Sequence, residues 1–266
     1  MVIALAAATA AAQARVDPAA IAKPAGLDAD LRKAPCADAA RLDAVRQLFR
    51  DHGASDDDLC VDAYRDTSNL VLTVRGTGPG TIVVGAHYDK VEAGCGAIDN
   101  WSGLVLLANL YGAMRTAKPS KTYMFVAFGR EESGLVGSKA MAGSIPKRER
   151  PLYCAMINLD SFGLARVQVL TNVSSPSLAR FVEQVAKDNS IPFAMASAYA
   201  DADSSPFRGH GIPAVTLHAL SNDWPSILHT RYDTVGKINL GSVFQSYFVA
   251  LRVLERIDAC DCGQFR

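Results

Sequence analysis

Seven side chains, two imidazoles and five carboxylates, have the types and spacing that can hold divalent metal and move protons. In chain order they are His87 and Asp89 in His-Tyr-Asp, Asp99 in Ala-Ile-Asp-Asn, the adjacent pair Glu131 and Glu132, Asp160, and His229 in His-Thr-Arg-Tyr-Asp-Thr. Oxygen donors mixed with imidazoles suit a zinc-type hydrolytic centre. Take Asp99, Glu132 and Asp160 as ionised ligands and His87 and His229 as neutral ones. Three carboxylates and one hydroxide then balance two divalent ions, a neutral set suited to a partly dry pocket. One shared carboxylate can bridge ions at the ~3.5–4 Å separation of two-metal sites. Glu131 is left over. Neighbours in non-helical backbone point to different sides, so Glu132 can face metal while Glu131 faces water as general base and then acid. Asp89 is two residues from His87, within reach of its far ring nitrogen, and would fix that ring's tautomer.

These residues need elements that bring them together. The runs TIVVGA (81–86), TYMFVAF (122–128) and CAMINL (154–159) are apolar throughout, as in strands covered on both faces. His87, Glu131 and Asp160 follow them, and ligands of open α/β sheets bind beyond the carboxyl ends of strands. Further strands are read at 69–75, 167–170 and 214–217. Helices are read at 37–52, 102–115 with Ser102 as N-cap, 133–142, 177–189 and 240–257. Alternating strands and helices predict a single α/β domain with a mixed, mostly parallel central sheet flanked by helices. Pro18 and Pro24 should break helix in an arm over 15–35. The catalytic domain would be 36–266.

The chain has 266 residues and equal numbers of acidic and basic residues, 27 each. That balance gives no support for a nucleic-acid partner. Residues 1–14 are small and apolar and end in Ala12-Gln13-Ala14, like the remnant of a secretory signal. The run is shorter than the ~20 residues a membrane span needs, so no membrane partner is expected. Secretion or export to the periplasm is. Six cysteines fit that compartment. Cys36 would pair with Cys60, Cys260 and Cys262 would tie down the tail, and Cys95 and Cys154 lie near the site. His52, His210 and His218 match no motif and read as structural or solvated. Trp101 and Trp224 read as pocket supports or core. The sequence sets no oligomeric state.

Together and in this order, HYD, GAIDNWSG, FGREESGLVGS, INLDSFG and HTRYDT resemble the M28 family of zinc peptidases over residues 69–257. The resemblance implies the zinc-exopeptidase, phosphorylase/hydrolase-like fold, a peptide substrate and two Zn2+ per chain. It implies that His87 and Asp160 bind one zinc, that Glu132 and His229 bind the other, and that Asp99 bridges. Glu131 is then the base and Asp89 orients His87. The chain departs from the family's late SDH motif, having Asp203-Ser204-Ser205-Pro206-Phe207 instead. An aminopeptidase is the leading expectation. A glutaminyl cyclase would need one zinc and many of the same residues, although Asn-Trp-Ser-Gly after Asp99 looks peptidase-like. A carboxypeptidase would need Arg208 or Arg231 to hold a substrate carboxylate. A relative without catalysis would be expected to lose ligands or base, and this chain keeps them.

Overall fold

In a computed structural model of the chain, residues 14–198 and 201–266 are described. The elements in order are α1 (Pro24–Leu31), α2 (Arg41–Asp51), β1 (Cys60–Ala63), β2 (Ser68–Val74), β3 (Thr81–His87), α3 (Gly103–Met114), β4 (Thr122–Phe128) and α4 (Val136–Ser144). There follow β5 (Tyr153–Leu159), β6 (Gln168–Leu170), α5 (Pro176–Asp188), β7 (Ala194–Ala196), α6 (Ser204–Gly209), β8 (Ala214–His218) and α7 (Leu240–Ile257).

The strands form one sheet in the order β1-β2-β4-β3-β5-β8-β6-β7. Its centre, β4-β3-β5-β8, is parallel. The antiparallel joins are β1 to β2, β2 to β4, and β8 to β6. The apolar runs are continuous because both faces are covered. Ile82, Val84, Phe125, Ala127, Ala155 and Ile157 point into the larger core with α1, α2, α3, α5 and α7. Their neighbours Val83, Val126, Phe128 and Met156 point into the smaller core with α4 and α6. This is the period of two expected of a pleated strand. The single α/β domain with a mixed, mostly parallel sheet is as the sequence predicts.

Several local expectations differ. Pro24 does not break a helix. It is the first residue of α1, where its missing N–H costs nothing. Leu27 and Leu31 of that helix are fully buried in the larger core, so the 15–35 segment packs as part of the domain. The leader expected over 1–14 lies outside the described residues except for Ala14. Ser102 does not cap α3. Its hydroxyl donates to Ile98 O and accepts from Phe162 N, joining two loops. Asn100 Oδ1 takes the Gly103 N–H instead. The helix expected at 133 begins at Val136, because Leu135 adopts left-handed backbone (φ 61°).

The cysteine pairing also differs. Cys36 bonds to Cys95 and Cys154 to Cys262, while Cys60 and Cys260 are free. Cys60 opens the exposed edge strand β1, whereas Cys36 lies between α1 and α2, beside the loop after β3. The tail is tied down, as expected, through Cys262. No helix among the described residues is long and apolar enough to cross a membrane.

Candidate active site

The carboxyl ends of the parallel strands converge. His87 ends β3, Asp160 follows β5, His218 ends β8, and Glu131 and Glu132 follow β4. Two loops complete the group. One, after β3, carries Asp99, and the other, after β8, carries His229.

His87 Nε2 is 3.0 Å from Asp99 Oδ1 and 3.7 Å from Asp160 Oδ1. His229 Nε2 is 3.0 Å from Asp99 Oδ2 and 3.2 Å from Glu132 Oε2. The two oxygens of Asp99 thus face the two imidazoles separately. Ligand atoms of His87, Asp99 and Asp160 lie within 4.8 Å of one another, and so do those of Asp99, Glu132 and His229. All five ligands expected from the sequence fall into these two triads, which share Asp99. Glu131 joins the cluster beside His87 and Glu132.

The remaining contacts hold this geometry. His87 Nδ1 is 3.1 Å from the Asp89 carbonyl oxygen and 3.6 Å from its carboxylate. That carboxylate is mainly occupied elsewhere. Its two oxygens accept the N–H groups of Glu131 (2.9 Å) and Glu132 (3.1 Å). Asp89 therefore orients the histidine through its main chain and the glutamate pair through its side chain. Asp233, buried, accepts Ile98 N at 2.7 Å and Asp99 N at 3.2 Å. Asn100 donates to Leu159 O and accepts from Ser161 N, which ties the Asp99 loop to the end of β5. Gly103 permits this approach, since a Cβ there would lie 2.2 Å from Asn100 Oδ1. Arg41, fully buried, donates to the carbonyls of Tyr88, Cys95 and Gly96. Of these supports, Asp233 stands inside the HTRYDT motif, but its role was not readable there. It acts on a loop 134 residues away.

The electrostatics are those of a cation site. Burial opposes charge on Asp99, yet His229 and His87 more than offset that and hold its carboxyl well below the usual range. Hydrogen bonds that the protonated ring donates to Asp99 and Glu132 push His229 up to about 10. Burial lowers the affinity of His87 for a proton, but Glu131, Asp160, Asp89 and Asp99 around it win and raise it. Both imidazoles thus attract positive charge, and Glu132 Oε1 is buried without a partner. The donor set fits divalent metal, because a carboxylate-rich cluster out of water needs cations. Glu131 differs from its neighbour. Burial, with Asp203, Asp160 and Asp99 nearby, raises its carboxyl despite the opposing pull of His87. Asp203 is fully buried and neither of its oxygens has a hydrogen-bond partner among the described residues; burial pushes it to about 7. The hydroxyl of Ser204, in place of the expected histidine, bonds Val173 O and Thr216.

A cavity of about 430 Å³ opens on the cluster. Leu170, Leu220, Trp224 and Leu228 form apolar wall, so Trp224 is a pocket residue. Trp101 is core, its Nε1 donating to Asp30 O. No lysine or arginine lines the cavity among the described residues. Arg208 instead donates to Asn172 O, and Arg231 lies over the Tyr232 ring.

A family model described as Peptidase family M28 matches residues 69–254. The chain is 28% identical over 233 residues to a leucine aminopeptidase 1 of Uncinocarpus reesii, covering 77% of this chain and 59% of the relative. A solved aminopeptidase from Aneurinibacillus sp. strain AM-1 superposes with TM-score 0.62 at 25% identity, covering 70% of this chain and 47% of that one. A glutaminyl cyclase from an Acidobacteriales bacterium has TM-score 0.73 at 19% identity, covering 96% and 99%. The chain spans about three-fifths of the length of the curated relatives it matches first.

Proposed function

The chain belongs to peptidase family M28, and from that premise we propose that it is a zinc-dependent aminopeptidase releasing N-terminal residues from peptides. The observation that carries the reading is the pair of triads sharing Asp99 on the wall of a cavity that no lysine or arginine lines. His87, Asp99 and Asp160 would hold one Zn2+, and Asp99, Glu132 and His229 a second. Such ions, when bound, lower the pKa of water and polarise a carbonyl.

The chain's own residues do the rest. A Glu131 carboxylate oxygen takes the proton of the attacking water and passes it to the leaving amine. Burial and nearby acids raise its proton affinity, opposed by His87. Asp89 holds Glu131 and Glu132 through their N–H groups, so one faces the reacting atoms while the other serves as a ligand. The acidic lining welcomes a free α-ammonium. Among the described residues no lysine or arginine stands in that lining to hold a terminal carboxylate, which favours an aminopeptidase over a carboxypeptidase. A one-zinc cyclase would need a single set of ligands. The His87 and Asp160 arrangement beside the other triad favours two ions. Two disulfides fit an oxidising compartment, hence secretion or the periplasm.

The test is product analysis on protein of measured metal content. Peptides with a free N-terminus should lose their first residue, N-acetylated ones should not, and chelation should abolish turnover until zinc is restored. Release from the C-terminus, or pyroglutamyl product with one metal per chain, would replace this reading.

A further inference from the structure

Ser161 follows Asp160 in the INLDSFG run, and the chemistry above gives its side chain no part. Its backbone is left-handed (φ 63°), a region that residues other than glycine rarely adopt. Two loops hold it there. Its N–H donates to Asn100 Oδ1 at 3.1 Å, and its carbonyl accepts from Ala219 N at 2.9 Å. In extended backbone, neighbouring side chains point to opposite faces. The left-handed residue breaks that alternation, and the Ser161 hydroxyl stands 3.0 Å from Asp160 Oδ1. An ionised carboxylate can only accept, so the hydroxyl is the donor. The oxygen it binds is the one 3.7 Å from His87 Nε2, on the side of the first triad. Ser161 is buried and lines the cavity.

The carboxylates of the two triads are not equally confined. The side chains of Asp99 and Glu132 are 9% and 10% exposed, and that of Asp160 is 17% exposed. Asp99 has an imidazole 3.0 Å from each oxygen, and Glu132 has one at 3.2 Å. Asp160 stands farther from its imidazole, and Ser161 supplies the shorter contact. We propose that Ser161 is a positioning residue for the ion that His87, Asp99 and Asp160 would hold. Its hydrogen bond fixes the rotation of the Asp160 carboxylate, takes one lone pair of Oδ1 and leaves the other for metal. The effect falls on that ion and spares the one beside Glu132 and His229. The proposal rests on the two-metal reading above.

Zinc competition with a chromophoric chelator, on the full chain, tests it. The wild type should hold two ions. Ser161→Ala and Ser161→Gly both remove the hydroxyl, and only glycine adopts left-handed backbone freely. Each should weaken one of the two ions by about 10–100-fold and leave the other unchanged. Denaturant midpoints should show the glycine variant at least as stable as the alanine one. In a His229→Ala background the loss should remain, and in a His87→Ala background it should vanish. Cobalt(II) bound in the His229→Ala background should change its visible absorption when the hydroxyl is removed. Should one variant fail to fold, the other decides. Loss in only one of two folded variants, or equal weakening of both ions, marks a role in the backbone and overturns the proposal. Unchanged affinity in both variants overturns it and leaves the two-metal reading standing. Fewer than two ions on the wild-type chain overturns that reading, and the proposal with it.

Discussion

Two of the carboxylates beside His87 divide their work by which of their atoms are free. Asp89 spends both oxygens on peptide N–H groups, whereas Glu131 keeps its carboxyl toward the reacting space. Glu131→Gln should therefore retain metal and lower kcat by about 10²–10⁴-fold, the usual worth of a general base. Metal analysis beside steady-state rates checks both halves. Asp99→Ala should lower metal content at both positions, and an unchanged metal count would sink its bridging role. Asp233→Asn keeps the side chain's size but sets an amide group against Ile98 and Asp99 N–H. Supports of this kind are worth about 10–100-fold in metal affinity, readable by competition with a chelator. The five proposed ligands could be picked out because each sits in a compact motif beside a strand end or loop. Asp233 was visible as a letter and not as a role.

At the scale of elements, the long buried strands and amphipathic helices followed from their periodicity. The misses have specific causes. α1 was hidden by Pro24, which reads as a breaker until it is seen at the first helical position. β1 is exposed along its length and β7 has three residues, so neither carries an alternating apolar signal. α6 opens Ser-Ser-Pro and has six residues. α1 is fastened by Asp30, which takes hydrogen bonds from Asn109 of α3 and Lys33 and pairs with His52 after α2. Burial opposes its charge, but these partners more than offset that and bring its pKa to about 2. The folded value is below the ordinary ~3.9. Its stabilisation is thus complete above that pH and fades as pH falls through about 2. Asp30→Asn should cost about 1–3 kcal/mol at neutral pH. The difference from wild type should shrink in acid, as followed by denaturant midpoints at several pH values.

Across the whole molecule, the two disulfides join segments 59 and 108 residues apart. Cross-links of that span restrict the unfolded chain and are typically worth about 2–4 kcal/mol each. Cys154→Ser with Cys262→Ser should lower the unfolding free energy by that amount, as read from denaturant curves, while leaving metal content intact, since that bond fastens the C-terminal tail to β5. The sequence places Cys95 and Cys154 near the site and Cys260 and Cys262 in the tail, but Cys154 stands at the end of β5 away from Asp160, and Cys36 bonds to Cys95 rather than Cys60. Sequence proximity around a helix says nothing of which loop folds back over it.

The Cys36–Cys95 bond differs in what it holds. Cys95 precedes Asp99 by four residues, and its N–H is bound by Asp233 O, so the cross-link anchors the loop that both metal triads share. The proposed zinc site is therefore expected to depend on this bond. In a reducing compartment the loop would be held by hydrogen bonds alone and zinc loading would be weak. Oxidation would then complete the anchor, and zinc retention would rise with it. Cys36→Ser with Cys95→Ser should reproduce the reduced state permanently. It should show weaker zinc retention than the Cys154/Cys262 double variant at equal stability, and equal retention in the two would remove this safeguard from the account.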